Sequence, residues 1–235
     1  AKDITIGGGI SAKRNAQLTA DENVTLGGKT DVGETLTANV GRDFVTNGVV
    51  TTGKELIATV GNDAVTNGIV TTNGALKWNV GNDFTVNAAV FSHGTTTIDA
   101  QKVNFNADFA SDKNLTITAK NNIFTKEGTN LSTKSDGRLK ARTADLGGDV
   151  HADGTLTIET DEHLAAKNIT AGGNATLNAG AELSAKDVNV GGDLNAKAKN
   201  ITANNVTSGG NLRAQGGSDL RAKNINAGAH ATVTA

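Results

Sequence analysis

Apolar residues in this chain alternate with polar ones in short runs, and the runs recur at a fixed interval. A spacing of two positions places alternate side chains on one face of a β-strand. Val, Ile and Thr are frequent in these runs and helix-forming residues are sparse, so the pattern predicts strands rather than helices. Three successive runs show it: Leu36, Ala38 and Val40; Leu56, Ala58 and Val60; Leu76, Trp78 and Val80.

The interval between these runs is 20 residues. Residues 40–59 and residues 60–79 are identical at eleven of their 20 positions. A second version of the unit occupies the last third of the chain at intervals of 18 or 19 residues, with starts at Leu164, Leu183, Ile201 and Leu220. Residues 101–155 repeat least regularly, and we expect the polar stretch from Lys126 to Asp136 to be a loop that leaves the stack.

A short repeat of strands and corners cannot close a core alone, so each unit must be buried by its neighbours. This predicts an all-β fold, a right-handed parallel β-helix of about twelve coils with roughly 18–20 residues per coil. We expect one repeat segment over residues 1–235. It comprises 20-residue repeats (1–100), degenerate coils (101–155) and 18–19-residue repeats (156–235). Equivalent residues should form columns ~4.8 Å apart, such as Val40, Val60 and Val80.

Two columns of equivalent residues, one of glycines and one of asparagines, have specific expected roles. Glycines recur where corners require either a positive φ or a close approach between coils, and asparagines recur where stacked amides form a hydrogen-bonded ladder. These are Gly41, Gly61 and Gly81, and Asn47, Asn67 and Asn87. Trp78 replaces Ala58 of the preceding repeat, and its bulk predicts a local bulge or the end of a coil.

Composition excludes several classes of protein. The chain has no Cys, so it has neither disulfides nor thiolate metal sites. Its net charge of −2 provides no basic domain for nucleic acid. No apolar run approaches the ~18 residues of a membrane span, so we expect a protein that is not inserted in the membrane.

The repeat units resemble the haemagglutinin-repeat region of filamentous haemagglutinin-like exoproteins of Gram-negative two-partner secretion. The resemblance rests on LAAKNITAGG (164–173) and its relatives, and on ITIGG (4–8). It implies a right-handed β-helix, an outer-membrane β-barrel transporter as secretion partner, and a location outside the cell or on its surface. The Asn-Pro-Asn motifs of the family's secretion domain are absent because the chain has no Pro. We therefore expect an internal shaft segment of a longer chain.

The resemblance implies a structural shaft of a filamentous adhesin that presents a distal binding or toxin region to a host or neighbouring cell. It equally suits the stalk of a contact-dependent growth-inhibition toxin. A third reading is a lateral module that binds a glycan or a receptor. Arg138, Lys140 and Arg142 alternate, so on a strand they would form one basic stripe near Lys134 that suits a sulfated glycan. The simpler interpretation is an ordinary solvated strand face.

The remaining polar residues predict no catalytic site, cofactor or metal. Asp43, Asp63 and Asp83 share a column that raises the question of calcium, but hydrogen bonds in corners explain it more simply. The four histidines are scattered, and the adjacent threonines, such as Thr51 and Thr52, lack the alternation of an ice-binding array. β-Helix enzymes need converging carboxylates or basic residues and aromatic platforms for sugars, which this chain lacks, so we expect no enzyme.

Overall fold

The computed structural model describes all residues from 1 to 235. The chain is all-β with no helix, and its parallel strands stack as a β-solenoid of about twelve turns. This confirms the predicted fold class. The residue contacts group the chain into two units, residues 1–118 and 119–235, which are described separately.

The first unit contains short strands of three to five residues, followed by longer ones near its end, and the last of them crosses into the second unit. They are β1 (Ile4–Ile6), β2 (Ile10–Ala12), β3 (Ala16–Ala20), β4 (Val24–Leu26), β5 (Thr30–Val32), β6 (Leu36–Val40), β7 (Phe44–Thr46), β8 (Val50–Thr52), β9 (Leu56–Val60), β10 (Ala64–Thr66), β11 (Val70–Thr72), β12 (Leu76–Val80), β13 (Asp83–Val86), β14 (Val90–Ser92), β15 (Thr96–Phe105), β16 (Phe109–Ser111) and β17 (Leu115–Thr125).

Strands of the first unit pair in parallel with the strands one coil away. The register places Val40 beside Val60 and Val60 beside Val80, which confirms the predicted 20-residue columns. From β13 onward the offset becomes 19 residues, with Phe84 beside Val103. Inward residues such as Leu56 are almost completely buried, and the residues between them face outward.

The glycine corners of this unit show which of the two expected reasons applies. None of Gly41, Gly61 and Gly81 has a positive φ. A Cβ on Gly61 would lie 2.0 Å from the carbonyl oxygen of Gly41, and one on Gly81 would meet the carbonyl oxygen of Gly61 at the same distance. Close approach between the backbones of successive coils, and not backbone conformation, therefore requires glycine there.

The expected bulge at Trp78 is wrong. Strand β12 pairs with β9 without interruption, Trp78 lies beside Ala58, and the indole is 2% exposed. Its ring packs between Phe44 and Phe84, with ring centroids 5.5 Å and 4.9 Å away. Ala64 lies in the column between those two phenylalanines. A small side chain across the lumen thus provides the room that a bulge would otherwise supply.

The second unit has longer strands that run through the corners. They are the remainder of β17, β18 (Asn130–Thr133), β19 (Gly137–Ala141), β20 (Thr143–Ala152), β21 (Leu156–Thr160), β22 (His163–Ala171), β23 (Ala175–Ala179), β24 (Glu182–Val190), β25 (Leu194–Ser208), β26 (Leu212–Ala227) and β27 (Ala231–Thr234). The register places Leu164, Leu183, Ile201 and Leu220 in one column, as the sequence predicts.

The stretch from Lys126 to Asp136 is not wholly a loop. A turn with Gly128 at a φ of 81° leads into β18, which pairs with β20. Leu131 and Thr133 of β18 are buried. The polar composition of this stretch reflects its turn and its outward positions, while the alternate positions still point into the core.

Candidate functional site

The basic stripe predicted on β19 has the expected orientation. Arg138 and Lys140 face outward, and Leu139 and Ala141 are buried between and beside them. Arg142 follows at the end of the strand. The alternation of basic and apolar residues in the sequence thus corresponds to the alternation of outward and inward side chains on the strand. The three cations lie along one outer surface.

Most of the positive charge on this stripe is neutralised within the chain. An Arg138 Nη2 donates to Glu159 Oε2 at 2.7 Å, and Arg142 Nε donates to Glu162 Oε1 at 2.9 Å. Lys140 makes no ion pair, although its neighbour in the next coil is Glu159. The two arginines are about half exposed, so these ion pairs exchange with water and contribute little stability. An anionic ligand would nevertheless have to compete with both glutamates.

A second basic pair, on β25, lacks such partners. Lys197 and Lys199 are exposed, and neither forms an ion pair or a hydrogen bond. They border an open groove of about 600 Å³, which Asp161, Gly180 and Gly217 also line. Gly180 cannot carry a side chain, because a Cβ there would lie 1.9 Å from the carbonyl oxygen of Asp161. Position 180 therefore contributes no side chain to the groove beside Lys199.

Two polar atoms that lack hydrogen-bond partners are buried beneath the groove, so they are out of reach of a bound ligand. Thr160 is 7% exposed and its Oγ1 has no partner, and Asn178 Oδ1 is likewise buried and unpaired. Asp161 adds a carboxylate that forms no ion pair. Two exposed lysines beside one exposed carboxylate suit a ligand that carries both an anionic group and hydroxyl donors.

Sequence reasoning missed this pair, although a signal was present. One repeat before Lys197 and Lys199 stand Asn178 and Gly180, and one repeat after them stand Gln215 and Gly217. No acid occupies any of these positions. Residues 194–235 contain five of the 22 basic residues and one of the 24 acidic residues, so the cations gather in this part of the chain.

The column of Asp43, Asp63 and Asp83 is held by hydrogen bonds between coils. Asp43 Oδ1 accepts from Asn62 Nδ2 at 2.7 Å and from the backbone N–H of Asp63 at 3.2 Å. Asp63 Oδ1 accepts in the same way from Asn82 and from the N–H of Asp83. This confirms the interpretation as corner hydrogen bonds for Asp43 and Asp63, whereas the buried Oδ1 of Asp83 has no hydrogen-bond partner.

The asparagine ladder of the first unit is also confirmed. Asn67 Nδ2 donates to Asn47 Oδ1 at 2.9 Å, Asn87 Nδ2 donates to Asn67 Oδ1 at 2.8 Å, and Asn106 continues the series. Asn67 and Asn87 therefore each donate to the preceding coil and accept from the following one.

The second unit carries a column in which Asn and Asp alternate over several coils. It consists of Asn130, Asp149, Asn168, Asp187, Asn205 and Asn224. Asn168 Nδ2 donates to Asp149 Oδ1 at 2.6 Å, and Asn205 donates to Asp187 in the same manner. Each of these two carboxylates thus receives an amide donor from the following coil.

At the corner before β21, Asp136 Oδ1 accepts from the backbone N–H of Thr155 at 2.8 Å and from its hydroxyl at 2.9 Å. The backbone hydrogen bond, followed by the hydroxyl, holds the pKa of Asp136 below its ordinary value of 3.8. Asn174 occupies the related position one repeat after Thr155 and accepts the N–H of Asp193 at 2.8 Å. The ionised carboxylate thus has a structural role at a corner.

The histidines and threonines remain apart from any shared site. His93 and His151 each contact one nearby carboxylate at 2.6 Å, from Asp112 and Asp153 respectively. No group of three or more His, Asp or Glu side chains is placed to hold a metal ion. Thr52 and Thr72 are fully buried, so the adjacent threonines do not form a regular outer array.

No helix in the structure could span a membrane. No protein-family model, curated protein or solved structure shows a significant match to this chain.

Proposed function

We propose that this chain is a shaft segment of a secreted or surface-exposed filamentous adhesin, which holds a distal binding or toxin region away from the cell. The observation that carries the proposal is the repetition of the same columns from coil to coil within each unit. Inward residues stack on their equivalents in the next coil, and corner glycines let the backbones of successive coils approach each other closely. Side-chain ladders add hydrogen bonds between the coils. Such a fold suits a role in spacing and stiffness.

A display experiment tests this function. Cells would present the chain between a surface anchor and an epitope tag, with residues 60–79 present once, in ten tandem copies or in twenty, because one coil adds only ~4.8 Å. Because this interval is one full coil whose neighbours share the same register, we expect folded products whose tag reaches farther from the surface as copies are added. Accessibility of the tag to a large antibody measures the reach. Equal accessibility in all three proteins would contradict the proposal.

The same shaft suits an adhesin or the stalk of a growth-inhibition toxin, with export through an outer-membrane β-barrel transporter. In the parent protein, a shortened shaft should weaken host-cell adhesion in the first case and killing of neighbouring bacteria in the second. We expect no catalysis by the chain itself. Turnover of acidic polysaccharides by the purified protein would contradict that expectation.

A second candidate function is lateral binding of acidic saccharides in the groove beside Lys197 and Lys199. The unpaired lysines suit a sulfate or carboxylate, while the exposed carboxylate of Asp161 suits sugar hydroxyls. The stripe of Arg138, Lys140 and Arg142 stays a predicted site for the same ligands. Its two arginines are already paired, which favours the groove.

A glycan array distinguishes these two surfaces. If the groove binds, Lys197→Ser with Lys199→Ser should abolish retention of sulfated or uronate glycans, whereas Arg138→Ser with Arg142→Ser should leave it. Loss only in the Arg138, Lys140 and Arg142 triple serine variant would place binding on β19. If the unaltered chain retains no glycan, the hypothesis of lateral binding is wrong, and the proposed shaft function is unaffected.

A further inference from the structure

The chain contains three Asn-Gly dipeptides, which begin at Asn47, Asn67 and Asn73. We infer that Asn73 is a site of spontaneous deamidation in the folded protein and that Asn47 and Asn67 are protected. The sequence alone makes the three equivalent. The hydrogen bonds around them are what differ.

The reaction needs a free nucleophile and a free amide. The backbone nitrogen of the glycine loses its proton and attacks the asparagine side-chain carbonyl carbon, Cγ. The Cγ–Nδ2 bond breaks, ammonia leaves, and a five-membered succinimide remains. Water then opens the ring to aspartate or isoaspartate. Glycine is the most reactive following residue because no Cβ shields its nitrogen.

Both requirements are blocked at Asn47 and Asn67. Asn67 donates to Asn47 and accepts from Asn87, which fixes its amide in the ladder, and the same bond holds the oxygen of Asn47. The attacking nitrogens are also occupied. The N–H of Gly48 donates to the carbonyl of Leu26 at 3.2 Å, and the N–H of Gly68 donates to that of Thr46 at 3.0 Å.

Neither restraint operates to the same degree at Asn73. This residue is exposed at the corner between β11 and β12, and its side chain forms no hydrogen bond. The N–H of Gly74 has only the hydroxyl of Thr72 as an acceptor, at 3.4 Å, near the limit of a hydrogen bond. That hydroxyl itself donates to the carbonyl of Lys54 at 2.7 Å. The nucleophile and its target are therefore both held less tightly at Asn73 than at Asn47 and Asn67.

The position in the fold explains why Asn73 has no ladder. One coil earlier stands Gly53, which offers no side chain, and one coil later stands His93, whose Nδ1 contacts Asp112 at 2.6 Å. Conversion of Asn73 to aspartate adds a carboxylate one coil before this histidine. The modification thus places a carboxylate on each side of His93 along this corner.

Peptide mapping by mass spectrometry tests the inference. The folded chain is incubated at mildly alkaline pH, digested after Lys and Arg, and fragmented, since the peptide 55–77 contains both Asn67 and Asn73. We expect the replacement of an amide by an acid, and the isoaspartate isomer, at Asn73 at least tenfold faster than at the other two. In urea, where no ladder exists, all three should react at similar rates.

Variants separate the reactive site from its surroundings. Asn73→Gln should abolish the fast reaction, because the longer side chain would have to close a six-membered glutarimide, which forms far more slowly than the five-membered succinimide. Asn47→Ala removes the acceptor of Asn67 Nδ2, so it should accelerate reaction at Asn67 in a chain that circular dichroism shows to be folded. Folded-state rates at Asn47 or Asn67 that equal the rate at Asn73 would overturn the inference. So would an Asn73 that reacts in urea and not in the folded chain.

Discussion

The indole of Trp78 stacks on the ring of Phe84 with their centroids 4.9 Å apart, inside the lumen of the first unit. Phe44 lies on the other side of the indole. This three-ring stack spans successive coils, so its contribution to stability is shared between neighbours instead of residing in one coil. It provides the most direct test of how the core is filled.

Trp78→Ala should lower the free energy of unfolding by about 3–5 kcal/mol, because it removes the ring and leaves a cavity between Phe44 and Phe84. Phe91→Ala is the matched control. Phe91 is 40% exposed, so its loss should cost less, about 1–2 kcal/mol. Urea unfolding followed by circular dichroism measures both. Similar values for the two variants would show that the stack does not form.

Gly61→Ala should destabilise the chain by at least about 1–3 kcal/mol, since the new Cβ would overlap the carbonyl of Gly41 and push two coils apart. Gly7→Ala serves as the control, because nothing lies within 4 Å of a Cβ at that position. Differential scanning calorimetry of both variants gives the comparison. A lowered melting temperature for Gly7→Ala alone would contradict the assigned role of close approach.

Asn67→Ala should cost about 1–2 kcal/mol, because it removes one donated and one accepted hydrogen bond from the ladder. Asn79 is a suitable comparison. It is exposed on β12 and its side chain forms no hydrogen bond, so Asn79→Ala should have almost no effect. Thermal unfolding decides the matter, and equal losses in the two variants would mean that the ladder contributes nothing.

Asp136 should give the chain a small dependence of stability on acid pH. Its folded-state pKa lies below 3.8, so its contribution is present above the unfolded-state pKa and disappears as the pH falls through the folded-state pKa. Asp136→Asn should flatten this part of the profile, because an amide does not titrate in this pH range. The amide oxygen can still accept the N–H of Thr155, so the corner should stay folded. NMR titration of the Asp136 carboxyl checks the pKa itself. A value at or above 3.8 would contradict the expectation.

Much of the fold could be read from the sequence because each coil repeats the burial pattern of the one before. Leu36, Leu56 and Leu76 occupy equivalent positions, and the period of two between inward residues fixes which side chains enter the core. The spacing of residues within and between repeats was therefore enough to predict the core positions. The same argument identified the amide ladder and the corner hydrogen bonds of Asp43 and Asp63.

What could not be read depended on contacts across the lumen or between faces. The accommodation of Trp78 relies on Ala64, which lies fourteen positions earlier in the sequence and is not its partner in the register. The strand within Lys126 to Asp136 was hidden by polar residues at outward positions. The ion pair of Arg138 with Glu159 could have been predicted, because the two residues lie about one repeat apart. The prediction would have required a comparison of charged residues in successive repeats.

The two units solve the problem of stacked carboxylates differently. In the first, Asp43 and Asp63 on adjacent rungs each accept a hydrogen bond from an asparagine amide at a neighbouring position, Asn62 and Asn82 respectively. In the second, the column through Asp149 and Asp187 places an amide between carboxylates, so the chemical pattern repeats every two windings. Unshielded carboxylates on adjacent rungs would repel by on the order of 1 kcal/mol. Duplication of two windings at a time therefore keeps Asp and Asn alternating in this column, whereas duplication of a single winding would place two like residues side by side.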